Sequence, residues 1–186
     1  MDWPEAFLKE AEGLPLKNIT LTSSKGSKKG DLMITRYGLE GTPIYFLGEA
    51  AEVFLDLKPD LSAKQIESKI QSSKENLSSI RRIKKHLQLS PAALALLYHL
   101  TSSAEREDAD ALVARLKKFP IFLKNPQPLQ EAISSAGGLD WDELTESLML
   151  KKHPGVFAAG EMIDWDAPTG GFLIQGCVSQ GYVAGK

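Results

Sequence analysis

Apolar and polar positions along this chain change their period in blocks, and the blocks predict the elements. Residues 2–12 read as a short amphipathic helix, with Ala6, Phe7 and Leu8 set among Glu and Lys. Leu16 to Thr22 alternates, with Leu16, Ile19 and Leu21 apolar, and predicts a strand. The run 23–30 is rich in Ser, Lys and Gly and predicts a flexible hairpin loop, and Asp31 to Tyr37 its partner strand. Residues 38–43 predict a turn, Ile44 to Leu47 a strand or a helix, and Val53 to Leu57 a strand closed by Pro59. The pattern then turns helical over 62–117. Ser62 and Gln65 form a capping box before Ala63, Ile66 and Ile70. Leu77, Ile80, Ile83 and Leu87 keep helical spacing, Ser90-Pro91 reads as an N-cap with proline at the first helical position, and Ala109, Leu112, Val113 and Leu116 define a further helix.

Strand-like material returns at Phe119 to Leu123 and, weakly, at Gln130 to Ser135, before a tight turn at Ala136-Gly137-Gly138. Asp140 to Leu148 reads as loop or short helix. Gly155 to Gly160 reads as a buried strand, and a helix opens after Gly170-Gly171. The order is strands, helices, strands, then one strand–helix unit, which makes the chain α+β rather than a repeating βαβ fold.

Composition narrows the function. The 186 residues carry a formal charge of -2, so nothing draws the chain as a whole to nucleic acid or to an anionic membrane. No apolar stretch has the length of a membrane span, and the acidic start Met1-Asp2-Trp3-Pro4-Glu5 lacks a signal-peptide pattern. A cytoplasmic protein is expected. The one cysteine, Cys177, allows no internal disulfide. His86, His99 and His153 lack metal-ligand spacing, so no metal site is expected. Arg81, Arg82, Lys84, Lys85 and His86 form a basic cluster, read as the wet side of a core helix. No Ser/His/Asp arrangement is visible, and no catalytic residue is named.

The chemistry concentrates near the C-terminus. A short apolar run ends at Gly160-Glu161, a polar turn with Asp164 and Asp166 follows, and Gly170-Gly171 opens a helix at Phe172. A carboxylate after a strand suits a sugar hydroxyl, and two glycines at a helix start leave N–H donors facing an anionic or carbonyl-rich ligand. This is the outline of half a dinucleotide site. The other half needs a glycine-rich pyrophosphate turn, and the sequence contains no GxGxxG. A piece of a longer protein is therefore expected.

The string "GVFAAGEMIDWDAPTGGFLIQGCVSQGYVAGK" resembles the C-terminal FAD fingerprint of bacterial NAD(P)/FAD-dependent oxidoreductases of the aminoacetone-oxidase type. "GDLMITRYGLEGTPIY", "LDLKPDLS" and "EAISSAGGLDWDEL" are similar to further motifs of that family, in the family's order. The resemblance implies a Rossmann-like FAD domain interrupted by an insert with a β-barrel-like part and a helical bundle. Residues 1–148 would then be the insert, with β parts at 14–58 and 119–138 and helices at 62–117. Residues 149–186 would be the returning, partial Rossmann-like strand–helix unit. Carried over, Gly160, Glu161 and Asp164 would line the ribityl–pyrophosphate side of FAD, and Gly170, Gly171, Phe172 and Gln175 would face the flavin ring. FAD, NAD(P)H and the missing N-terminal Rossmann half are the implied partners. The family often has His where Arg36 stands, Ser at Glu40 and Asn at Leu173.

Two functions follow from this reading. One is part of an FAD-dependent oxidoreductase, inactive on its own. The other is a free-standing interaction module without catalytic activity.

Overall fold

The computed structural model describes residues 1–47, 52–72 and 77–186. It separates into two compact units, Met1–Pro126 and Gln127–Lys186. The domain boundary expected from the resemblance, at 148/149, falls within the second of these units.

The first unit opens with helix α1 (Glu5–Ala11) and strands β1 (Pro15–Ser23), β2 (Gly26–Thr35) and β3 (Gly38–Glu40). Helix α2 (Thr42–Leu47) and strand β4 (Glu52–Asp56) follow. Helices α3 (Ala63–Gln71), α4 (Ser79–Leu87), α5 (Pro91–His99), α6 (Ser103–Glu107) and α7 (Ala109–Lys117) lead to strand β5 (Phe119–Phe122). All strands pair antiparallel in the order β3-β2-β1-β4-β5. The inward faces of β1, β2 and β4 (Leu16, Ile19, Leu21, Leu32, Ile34, Val53 and Leu55) pack with Phe7 of α1 and with Ile66, Ile83, Leu96 and Leu112 of the helices in one core. Among the described residues, helices fill 63–117 and strands flank them as the hydrophobic periods predict, except that Leu77 precedes α4; residues 73–76 lie outside the described residues.

Four expectations are corrected. The sheet is open, not barrel-like. Closing a barrel requires the outer strands to pair, and the outer strands here are the three-residue β3 and the four-residue β5 at opposite edges. The loop expected at 23–30 shrinks to Ser24-Lys25, because Ser23 already faces Gly26 and Leu21 faces Lys28 in the ladder. Its Lys and Ser side chains are exposed or half-buried on a ribbon that runs beyond the core. The turn expected at 38–43 contains β3, and Ile44 to Leu47 is helical. Gln130 to Ser135 forms no strand. One 3-10 turn spans Leu129–Glu131, and both Leu129 and Ile133 are exposed, so no buried face exists to hold a ladder.

Local capping follows the sequence closely. Ser62 and Gln65 make the expected reciprocal cap, and Ser90 Oγ accepts from Ala93 N–H behind Pro91. A second capping box was not expected. The Ser102 backbone N–H and hydroxyl both donate to Glu105 Oε2 (2.8 and 2.9 Å), and Arg115 Nε donates to Glu105 Oε1 (2.7 Å). The Ser102 backbone N–H, then Arg115, hold the Glu105 carboxyl down at about 2, from 4.5. A folded-state value below the unfolded one adds stability above 4.5, and that stability is lost as pH falls toward about 2. Glu105→Ala should therefore cost ~1–2 kcal/mol at neutral pH. The gap from wild type should narrow through that acid window, as read by denaturant titration at several pH values.

Candidate functional site

The second unit is built mostly of turns. A 3-10 turn spans Trp141–Glu143, and isolated bridges join Leu144 to Leu150, Met149 to Phe157 and, in parallel, Leu139 to Ile163. Its one long element is helix α8 (Phe172–Ala184). Leu144, Leu148, Ala158 and Ile163 form its small buried core, with Leu139, Leu150, Ala159, Trp165 and Ala184 packed around them.

Gly155 to Gly160 is not the buried strand that its apolar residues predict. Gly155 and Gly160 sit at φ +87 and +88, which breaks extended backbone at both ends, and Val156 and Phe157 are exposed. The expected strand–helix unit is a turn–helix unit. Its turn is fastened from two sides. From one side, Leu139 N–H donates to Met162 O and Asp164 N–H donates to Leu139 O, each at 2.8 Å. Gly138 admits this approach, since a Cβ there would stand 2.5 Å from Met162 O. From the other side, Gly160 N–H donates to Gln180 Oε1 (2.7 Å), and Trp165 Nε1–H donates to Gly160 O (3.2 Å).

The predicted residues fall into two groups on this frame. Gly160, Glu161 and Asp164 lie on the turn. Glu161 is exposed, and its carboxylate has no protein partner among the described residues. Asp164 is partly committed to the fold, because its Oδ1 accepts from Gly137 N–H (2.8 Å) and its backbone carbonyl from Trp141 Nε1–H (2.9 Å). Gly170, Gly171, Phe172 and Gln175 lie at the start of α8. Gly171 is the N-cap, at φ +89, and offers no side-chain cap. The first N–H groups of the helix therefore have no intrahelical acceptor. A Cβ on Gly171 would meet nothing within 4 Å, so the helix start opens onto space. The Phe172 ring lies over Gly170, 3.7 Å from where a Cβ would stand. Gln175 is exposed, and its Nε2 donates along the helix to Ser179 Oγ (3.3 Å).

The two groups are not brought to one point. The Gly160 turn rests against Cys177 and Gln180, six to nine residues beyond Gly171. At 1.5 Å per helical residue that is roughly 9–13 Å along the axis. Cys177 is half-buried at this contact rather than fully buried.

Three organising residues escape a reading of the sequence. Trp165 covers Gly176, where a Cβ would stand 3.0 Å from Trp165 Cζ2 and Cζ3 and nearer still to Cη2. Small residues in this helix predict a close approach, but Ser179, Gly181 and Ala184 are the ones that catch the eye. Gly176 makes the approach, and Gly181 has open space before it. Gln180 is the third, and nothing in its spacing marks it.

The rest of α8 is unusual. None of its residues is buried, and Ile174, Val178 and Tyr182 are 73%, 64% and 67% exposed. A helix that is apolar on all sides normally lies inside a protein. Among the described residues no group of three or more His, Cys, Asp or Glu side chains is placed to hold a metal ion. No helix among them is long and apolar enough to cross a membrane.

Residues 14–186 match the model of the HI0933-like protein Rossmann domain. The chain is also similar to the 3-dehydro-bile acid delta(4,6)-reductase of Clostridium scindens, at 23% identity over 180 residues. That alignment covers 84% of this chain and 43% of the reductase, so the chain spans less than half the length of this curated relative. The family match takes in nearly the whole sequence, both units included, and the chain belongs to the HI0933-like protein Rossmann-domain family.

Proposed function

We propose that the second unit forms one wall of an FAD site in an oxidoreductase of the aminoacetone-oxidase type, with NAD(P)H as electron donor. The carrying observation is the start of α8: a glycine cap at φ +89, open space before it, and first-turn N–H groups without intrahelical acceptors. Such a helix start suits the electron-rich edge of a flavin. The exposed, unpartnered Glu161 suits a hydroxyl donor on the ribityl side. The offset of roughly 9–13 Å along α8 suits an elongated ligand that touches both groups at once. Family membership and a reductase relative support the same reading.

Bound flavin supplies the hydride and electron transfer. The residues of this chain bind and orient it. The α8 N–H groups stabilise negative charge at the flavin edge, Glu161 accepts from a hydroxyl, and the exposed Ile174, Val178 and Tyr182 seat a parallel sheet that lies outside these residues. We propose that this outside part, the N-terminal Rossmann half, carries the glycine-rich pyrophosphate turn and that residues 1–126 act as an insert.

The 186-residue chain, dialysed to equilibrium against FAD, should then retain little or none. Retention at micromolar affinity would mean that the chain carries a complete site, and the proposed division of the site would be wrong.

A free-standing interaction module is the second reading. The exposed apolar face of α8 favours it, and a chain that captures a protein partner but never flavin would select it.

A further inference from the structure

Both backbone polar groups of Gly160 are taken by side chains from elsewhere in the second unit. Its N–H donates to Gln180 Oε1 at 2.7 Å, and its carbonyl accepts from Trp165 Nε1–H at 3.2 Å and from Ile163 N–H at 3.1 Å. Gly160 is also where a Cβ would stand 3.8 Å from Cys177 Sγ, so the backbone itself lies against α8. The indole that grips the carbonyl is seated on the same helix, over Gly176. Gln180 and Gly176 are one turn apart on α8, so the helix holds the turn directly through one and by way of Trp165 through the other.

We infer that Gln180 and Trp165 are positioning residues that lock the Glu161-bearing turn to α8, so that Glu161 and the Gly170-Gly171 helix start keep a fixed spacing toward one ligand. The inference rests on the flavin reading above. Gly160 then serves the turn rather than the ligand, since its N–H is spent on Gln180 and its Cβ position faces Cys177 on α8. Without Gln180 that N–H loses its acceptor beside the helix, and the turn is free to shift relative to the helix start. A shift of about 1 Å in such a group is enough to weaken what it orients.

The conservative partner variant separates position from packing. Glu at 180 still presents an Oε acceptor to the Gly160 N–H, whereas Leu keeps bulk and offers none. The protein expressed from its complete reading frame is purified as wild type, Gln180→Leu and Gln180→Glu. Each is read by FAD affinity and by the shape of the flavin visible spectrum, and Gly160 amide exchange is measured alongside. Gln180→Leu should weaken FAD about tenfold, change the flavin band shape and speed Gly160 exchange. Gln180→Glu should restore all three. Trp165→Phe loses both the donor and the Cζ2–Cη2–Cζ3 edge that covers Gly176, and should also weaken FAD and speed Gly160 exchange. If wild type holds flavin and Gln180→Leu matches it in affinity and spectrum, the lock plays no part in positioning, and the inference is overturned. Unaltered exchange at Gly160 in Gln180→Leu also overturns it. If wild type holds no flavin, the functional reading fails first, and the positioning role falls with it, whatever the exchange shows.

Discussion

Gly171→Val should strip flavin from the protein expressed from its complete reading frame while leaving the first unit folded. Gly171 is the N-cap of α8 at φ +89, and Gly170 before it stands at φ +113. A β-branched residue is a genuine outlier in that region. Left-handed backbone costs an ordinary residue about 1–2 kcal/mol, so the cap either carries that strain or turns away. A Cβ there has no atom beyond its chain neighbours within 4 Å, so the side chain enters the open space at the helix start. That space is where the proposed ligand would approach the first-turn N–H groups. Strain and blockage both act on the ligand side. Flavin per mole of purified protein should drop to near zero, while Glu161→Ala, which removes one hydroxyl partner, should weaken FAD by about 1–3 kcal/mol. Full flavin in Gly171→Val would place the ligand somewhere other than this helix start.

The second large effect concerns folding. Gly176→Leu should open the second unit and spare the first. Even a Cβ at 176 would stand 3.0 Å from two atoms of the Trp165 ring, and a Leu side chain has nowhere to go while the ring stays. Overpacking of this kind costs about 1–3 kcal/mol. Expelling Trp165 also gives up its bond to Gly160 O and its packing on Leu144, Leu148, Ala158 and Ile163. A unit with so small a core has little reserve. Limited proteolysis should cut within 127–186 and leave Met1–Pro126 intact. Gly181→Ala on the same helix meets open space and should stabilise by about 0.5–1 kcal/mol. Equal protease resistance in Gly176→Leu and wild type would mean that Trp165 does not hold the unit together.

These two glycines also mark what the sequence discloses and what it hides. The first unit is legible because its elements bury repeating apolar faces: Leu16, Ile19 and Leu21 on β1, and Leu112, Val113 and Leu116 on α7, are all buried. The caps at Ser62 and Ser90 read directly, because a cap is a contact between residues three apart. The second unit hides more. Val156 and Phe157 look like core residues, yet Gly155 and Gly160 bend the chain on either side of them and leave them exposed. Gly170 and Gly171 are visible as a helix start because two adjacent glycines are a local signal. Gly176, Trp165 and Gln180 are not, because their partners are set by how the 160–165 turn returns onto α8, and no fixed spacing encodes that return. The hairpin was expected, and composition hid only how far its ladder runs, to Ser23 and Gly26. Ser, Lys and Gly spell a loop, but the exposed and half-buried end of a strand ladder uses the same residues.

The most direct measurement is the visible absorption spectrum of the wild-type protein expressed from its complete reading frame and purified without added cofactor. Flavin bands at close to one flavin per chain, falling away in Gly171→Val, are the predicted result. A colourless wild-type protein that stays colourless after incubation with FAD would contradict the account.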